Sequence, residues 1–346
     1  MILTFMAPST RHAVGGNATV YELATAMALR GHEVHFYHHP LFGDDAVTSI
    51  DEISWYEFRA EMSHHFRGTP ELDEIEIVEA DFFFGYTPDI EDNPQWGLPL
   101  CFVQGHQMYP EAEEIRNLRK PCPKICVASW LVRIGREHGI RAEELVHIPN
   151  GLRPDRFHLT RPIEGRPARV LFCYNPHHNK GAPLALEVLR RLHERRPDVD
   201  IVGFGARSPE QPLPDWITYH QAPEQSTLVD DLYNGSRIFL WTSTVEGFGL
   251  PALEAMACGA ALVTTDNGGS EDYAFPDDTA LVSGDHEADG LLGMVEHLLD
   301  HEDDRIRIAA AGRRLAAEFT WDRSADRLEQ LLASYAADPR RYGRPG

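Results

Sequence analysis

The chain has no run of about 18 uninterrupted apolar residues, so it offers no candidate for a membrane-spanning helix. Its opening stretch, Met1–Pro8, is apolar but short, and no basic segment precedes it. It reads as a first buried strand rather than a leader. Cysteine is sparse: Cys101, Cys122, Cys126, Cys173 and Cys258, an odd number. That fits reduced thiols in a cytoplasmic protein, not a disulfide framework. Cys122 and Cys126 can be drawn as half of a metal site, but no second pair with matching spacing follows, and no metal is expected.

Basic residues are also in deficit, 32 against 54 acidic ones, for a net charge of −22. Such a field repels nucleic-acid backbones and argues against a nucleic-acid partner. It equally repels a nucleotide diphosphate, which must then be met by local donors. The basic segments Arg133–Arg136 and Arg190–Arg196 read as solvated helix faces, so peripheral membrane contact has no support in the sequence. There is no full Gly-x-Gly-x-x-Gly, which makes a NAD-dependent dehydrogenase a distant reading. No internal repeat of about 20–50 residues and no low-complexity segment is present.

What is there is an ordinary globular composition, 42% hydrophobic over 346 residues, which suggests two domains at roughly 100–200 residues each. Strand and helix signals alternate. Strands are expected at Ile2–Met6, Glu33–Tyr37, Asp81–Gly85, Leu100–Gln104 and Ile125–Ala128, with a helix over Thr19–Arg30. A Pro-Asn-Gly break at Ile148–Gly151 and an irregular stretch to Pro167 separate this half from the next. Strands follow at Val170–Tyr174, Asp200–Gly205, Ile238–Thr242 and Ala261–Thr264, with helices at Ala182–Arg195, Ala252–Cys258 and Trp321–Tyr335. The pattern is α/β, two Rossmann-like parallel-sheet domains: residues 1–152, residues 153–320, and a closing helix and tail over 321–346.

In such sheets ligands bind beyond the carboxyl ends of the strands, and a cleft between two domains is the default site. Five segments lie at such ends. Gly15-Gly16 precedes the first helix, where a phosphate can approach backbone amides, although an ordinary tight turn has the same signature. His177-His178-Asn179-Lys180-Gly181 offers a lysine to a diphosphate, though a solvated lysine is equally common there. Ser243 to Glu254 sets two carboxylates, Glu246 and Glu254, around a glycine turn, with Pro251 suited to a first helical turn. On this reading Glu254 lies in that first turn, where the helix dipole favours a carboxylate. Asp266–Asp272 places two glycines before acidic residues, and Gln104-Gly105-His106 ends a strand. The stretch Pro40–Phe66, with Trp55, Tyr56, His64 and His65, serves equally as an acceptor wall or as buried packing.

Four blocks in this order resemble the retaining glycosyltransferases of family 4, which have the GT-B fold. They are Gly15-Gly16 with Leu23-Ala24 and Gly31–Val34; Val146–Gly151 with Phe157; Ser243 with Glu246-Gly-Phe-Gly-Leu-Pro-Ala-Leu-Glu254-Ala-Met-Ala-Cys-Gly259; and Asn267-Gly-Gly with Asp272. The third is the specific one, and together they span most of the chain. The resemblance implies two domains facing a cleft, with the C-terminal helix crossing back to the N-terminal acceptor domain. It implies a nucleotide-diphosphate sugar as donor, no metal and no cofactor. Glu246 would contact donor-sugar hydroxyls and Glu254 the ribose hydroxyls. Ser243 and the amides around Gly247, Phe248, Gly249 and Leu250 would bind sugar and phosphate. Gly15 and Gly16 would close on the diphosphate, Lys180 and Asn175 would lie against it, and His106 would sit near the anomeric carbon.

The chain departs from the family at Asn175, five residues before Lys180, where members usually carry an Arg. His177, His178 or Arg207 are the candidates to replace that charge. Gly151-Leu152-Arg153 also differs, lacking the usual Asp at the third place. Val103-Gln104 and Gly268–Tyr273 look like a rhamnosyltransferase-like subset. Two other readings stay open: a nucleotide-sugar epimerase or coupling enzyme on the same fold, and a non-catalytic nucleotide-sugar-binding subunit. Donor base and sugar, acceptor and oligomeric state leave no readable signature.

Overall fold

The computed structural model of the protein describes residues 1–39, 47–66, 80, 82–85, 97–106, 115, 116 and 118–342. The chain forms two compact units, Met1–Gly151 with Trp321–Gly346, and Leu152–Thr320.

The first unit holds a fully parallel sheet of β1 (Ile2–Pro8), β2 (Glu33–His39), β3 (Ser63–Phe66), β4 (Phe82–Gly85), β5 (Leu98–Val103), β6 (Lys124–Cys126) and β7 (Leu145–His147), in the order β3-β2-β1-β4-β5-β6-β7. Its helices include α1 (Gly15–Leu29) and α2 (Ser129–Glu137). The sheet centre is aromatic because β1 is covered on both faces. Phe5 stacks on Phe84 at 4.3 Å, and Phe36 and Phe102 continue the row.

In the second unit β8 (Arg169–Cys173), β9 (Asp200–Gly205), β10 (Ile217–Gln221), β11 (Ile238–Trp241), β12 (Ala261–Thr265) and β13 (Ala280–Ser283) form a second parallel sheet in the order β10-β9-β8-β11-β12-β13. This is the doubly wound order, with its switch point between β8 and β11. The helices are α3 (Ala182–Arg195), a π-helical segment Thr227–Tyr233, α4 (Leu250–Ala257), α5 (Ala288–Asp300) and α6 (Glu302–Ala316). The last helix, α7 (Trp321–Ala337), belongs to the first unit. There it buries Leu328, Leu331, Leu332 and Tyr335 in the core that also holds Val20, Leu23, Ala24 and Met27 of α1. Arg30, just past the end of α1, is 2.7 Å from Asp326 and 2.8 Å from Glu329 of α7.

Several boundaries move from the sequence reading. The first helix begins at Gly15, not Thr19, and Val14 in its N-cap position makes no side-chain cap bond that a sequence could display. Asp81 of the expected third strand lies outside the described residues. Strands β3, β7, β10 and β13 have no counterpart in the sequence reading; β10 buries only Ile217 and so shows no apolar run. The arginines of Arg190–Arg196 are each paired with a carboxylate: Arg190 and Arg191 with Glu187, Arg195 with Glu296, and Arg196 with Asp300. All five cysteines are free thiols. Among the described residues no helix is long and apolar enough to cross a membrane.

Asn234 and Arg166 are among the side chains that fasten the irregular stretch after Gly151. Arg166, only 4% exposed, donates to the carbonyls of Tyr233 at 3.3 Å, Ser236 at 3.0 Å and Cys258 at 2.8 Å. Those carbonyls lie at the C-terminal ends of the π-helical segment and of α4, where backbone acceptors are left over and positive charge is favoured. Burial, and then the nearby Arg305, push the Arg166 guanidinium down to about 10. Replacing Arg166 with Met should therefore strand buried acceptors, each costing about 1–3 kcal/mol. The expected result is a lower urea midpoint for the second unit, read by tryptophan fluorescence; an unchanged midpoint rejects this account.

Candidate active site at the carboxyl ends of β8 and β11

The loop leaving β8 is folded by its own amides. Asn175 Oδ1 accepts the His177 backbone N–H at 3.0 Å, His178–Lys180 form one 3-10 turn, and Gly181 follows in the left-handed region at φ +67°. A Cβ at Gly181 would lie 1.8 Å from the Thr242 carbonyl oxygen, so no other residue fits without displacing backbone. This contact sets the β8 loop against the β11 loop. Thr242 Oγ1 donates to the Gly181 carbonyl at 2.9 Å, the Thr244 N–H donates to the Asn179 carbonyl at 2.8 Å, and Asn179 Nδ2 reaches the Val245 carbonyl at 3.3 Å.

Lys180 and Glu246 meet across this seam. Lys180 Nζ lies 2.8 Å from each carboxylate oxygen of Glu246, whose residue is only 5% exposed. The Glu246 N–H donates to the Asn267 carbonyl at 2.9 Å. Asn267 in turn is held by Thr264 and Thr265, and its Oδ1 caps the turn through the Ser270 N–H at 3.1 Å. The glycine turn then enters α4 through Gly249 at φ +87°, whose missing Cβ would sit 2.6 Å from Tyr273 Oη. That buried hydroxyl lies 2.8 Å from both the Phe248 and the Gly249 carbonyls.

Glu254 differs from its sequence reading. Helix α4 begins at Leu250, not at Ala252, because Gly249 takes the left-handed conformation that starts it early. Glu254 therefore lies past the first turn, beyond the reach of the helix dipole. Its carboxyl is not favoured but pushed up to about 7, by burial first, while a hydrogen bond from Tyr233 and the nearby Arg156 pull the other way. Tyr233 Oη donates to Glu254 Oε2 at 2.8 Å from the last residue of the π-helical segment. Arg156 itself is bonded to Gln225 Oε1 at 2.8 Å. Beneath lies Cys173, whose thiol burial pushes up to about 12, with Glu254, Lys180 and Glu246 all within electrostatic reach.

The second unit thus brings together Asn175, Lys180, Ser243, Glu246, Gly247, Phe248, Gly249, Leu250 and Glu254. Two of these turn their side chains inward. Phe248 packs on Tyr273 and Phe319 at ring distances of 5.5 and 5.9 Å, and Ser243 is fully buried with no partner for its Oγ. The Ser243 carbonyl accepts from Thr265 Oγ1 and the Phe248 carbonyl from Tyr273 Oη. Tyr233, Tyr273 and Arg156 are functional neighbours that sequence reasoning missed. Their only signal is a lone tyrosine ahead of a strand and an arginine in an irregular stretch, neither of which has a period.

Gly15, Gly16 and His106 belong to the first unit. The two glycines open α1, with no acidic residue in its first turn and nothing within 4 Å of a Cβ at Gly15. His106 follows β5 and packs on Trp130 and His138, with ring centroids 6.2 and 6.0 Å away. Of the stretch Pro40–Phe66, residues 40–46 lie outside the described residues. Tyr56 and Trp55 pack on Tyr21 at 5.0 and 5.7 Å, and His64 and His65 bond to His38 and His35; Tyr56 is buried and the other three are half-buried. Among the described residues no group of three or more His, Cys, Asp or Glu side chains is placed to hold a metal.

Two measurements test this geometry. Gly181→Ala should destabilise the second unit by about 1–3 kcal/mol more than Gly165→Ala. Both glycines have positive φ, but a Cβ at Gly165 meets nothing within 4 Å. Equal losses in urea melts reject the close approach. Glu254 titrates at about 7 in the fold against 4.5 unfolded, so the folded state binds the extra proton between those values. Its contribution to stability is full below about 4.5 and is lost as pH rises through about 7. Tyr233→Phe removes a hydrogen bond to the ionised form and should move the Glu254 midpoint further up, read by carboxyl carbon NMR; a downward move contradicts the assignment.

Residues 160–315 match the family model described as glycosyl transferases group 1. The D-inositol 3-phosphate glycosyltransferase of Arthrobacter sp. (strain FB24) is 25% identical over 92% of this chain and 89% of its own length. The glycogen synthase of Mycobacterium tuberculosis is 29% identical over 60% of this chain, a match spanning about half (52%) of that enzyme. Among solved structures, Anabaena Alr3699/HepE in complex with UDP-glucose superposes with a TM-score of 0.77 at 16% identity, covering 96% of this chain and 100% of that one. A glycosyltransferase from Rickettsia africae ESF-5 gives 0.76 at 16% identity over 97% of this chain and 99% of its own. With two doubly wound parallel-sheet units and the Glu246–Glu254 block at the switch point of the second, the chain has the GT-B fold, and its second unit carries the match to the group 1 glycosyl transferases.

Proposed function

We propose that the protein is a retaining, metal-independent glycosyltransferase that moves a sugar from a nucleotide-diphosphate donor to an acceptor hydroxyl. The observation that carries this reading is the Lys180–Glu246 pair, 2.8 Å apart at the switch point, with Glu254 following on α4. A cation, glycine-rich amides at a helix start and two carboxylates are the groups a diphosphate, a sugar and a ribose require. Relatives by structure are complexes with UDP and with UDP-glucose, which supports the same donor class here.

In this reading the backbone amides of Gly247–Leu250 and Lys180 hold the diphosphate. Glu246 accepts hydrogen bonds from the donor sugar, and Glu254 accepts them from the ribose once ionised. Asn175 shapes the phosphate loop. The bond from the anomeric carbon to the phosphate oxygen breaks as the acceptor oxygen bonds to the same face. The acceptor proton passes to the departing phosphate, so no metal or cofactor enters the step.

A thermal-shift screen with UDP, GDP, TDP and ADP sugars should single out one base, because binding stabilises the folded state by mass action. Glu246→Ala and Lys180→Ala should each lower donor turnover by about 100-fold or more, on the scale of losing one charge-stabilising group. Transfer that survives both substitutions, inversion at the anomeric carbon by NMR, or loss of activity in EDTA each rejects part of the reading.

A further inference from the structure

A sugar nucleotide carries two negative charges on its diphosphate, and at the β8 loop Lys180 is already matched. Both oxygens of Glu246 lie 2.8 Å from its Nζ, so the pair meets a ligand with little net charge, in a chain of net charge −22. Lysine is scarce throughout, at Lys120, Lys124 and Lys180 alone. The loop has two further titratable groups, the exposed His177 and His178, with ring centroids 4.5 Å apart.

His177 is held at two points. Its amide donates to Asn175 Oδ1 at 3.0 Å, and its Nδ1 lies 2.5 Å from Asn179 Oδ1. The Asn179 amide has a fixed sense, because its Nδ2 donates to the Val245 carbonyl at 3.3 Å. Oδ1 therefore faces the imidazole, and an amide oxygen only accepts. Nδ1 carries the proton, Nε2 is the nitrogen at which the ring can take a second one, and the acceptor on Nδ1–H fixes the orientation of the ring.

We infer that His177, protonated at Nε2, is the second cation of the donor-diphosphate site, oriented by Asn175 and Asn179 and charged as the donor binds. This rests on the sugar-nucleotide reading above. Asn175 then builds the turn that presents the imidazole. The other titratable groups of this loop are His178 and Lys180, and Lys180 is paired with Glu246 of the β11 loop. The cations among them oppose a charge on His177 and the carboxylate favours it. The diphosphate adds two negative charges and shifts the balance toward the imidazolium. A group whose pKa rises on binding takes up a proton, so affinity is greatest at low pH and declines as pH rises through the bound-state value. Glu254 acts with the opposite sign, since it must lose a proton to accept ribose hydroxyls, so the informative quantity is the difference between wild type and variant.

The test is calorimetry on the full chain, with whichever of UDP-, GDP-, TDP- or ADP-glucose gives the largest thermal shift, in buffers of different ionisation heat between pH 6 and 8.5. His177→Gln should bind about tenfold more weakly than wild type at pH 6, with the gap closing toward pH 8.5, and should lose the proton uptake. His177→Arg should hold wild-type affinity at pH 6 and keep it at pH 8.5, while His178→Gln should keep the wild-type proton uptake. Uptake that survives in His177→Gln, or that disappears in His178→Gln instead, overturns the inference while leaving the donor-site reading intact. If no sugar nucleotide binds the wild type, the donor-site reading itself falls and takes this one with it.

Discussion

The candidate site in the second unit depends on a contact that involves no side chain at all. At residue 181 the backbone runs so close to the Thr242 carbonyl that only glycine fits. In a doubly wound sheet the chains leaving the two strands at a switch point turn to opposite faces and leave a gap between them. Here the β8 and β11 loops are drawn back together by that contact and stitched by Thr242, Thr244 and Asn179. The seam is what makes a lysine on one loop and a glutamate on the other neighbours. Without it, Lys180 is a flexible side chain in water, where an ion pair contributes little.

A second layer supports the first from below. Arg166 binds carbonyls at the ends of the π-helical segment and of α4, and those two elements carry Tyr233 and Glu254. One guanidinium thereby fixes the distance between a buried phenol and a buried carboxylate. The hydrogen bond between them offsets only part of the cost of burial, which leaves the carboxyl titrating at about 7. Such a group is only partly ionised near neutral pH. A glutamate at the helix start could not do this, because the dipole there would hold it ionised throughout.

These layers are unequally legible in the sequence. The central strands and α3 can be read because apolar runs and helical periods are local properties. The glycine turn with its two glutamates can be read because its residue types are chemically unusual together. The edge strand β10 cannot, because only Ile217 of its residues is buried and it carries no apolar run. Nor can the π-helical segment, since the bonding that sets Tyr233 opposite Glu254 is decided by packing across the sheet. The dipole assignment of Glu254 fails for a related reason. Gly249 reads as a turn residue, but its left-handed backbone is what starts α4 two residues early. Asn175 looks like a missing charge, and only the fold reveals that its side chain is spent on the turn beneath His177.

The charge balance of the site follows from the same arrangement. A cluster of permanent cations would bind a diphosphate tightly, but in the empty protein those cations would repel one another and hold the leaving nucleotide after transfer. On the proposed function, pairing Lys180 with Glu246 avoids the first difficulty, since the carboxylate would be a counter-ion until sugar hydroxyls compete for it. An imidazole avoids the second, since its charge can be given up when the diphosphate leaves, whereas a guanidinium keeps its charge. In an acidic chain with few lysines, a cation that exists mainly while its ligand is bound is a physically consistent way to hold a doubly charged donor and still release its product.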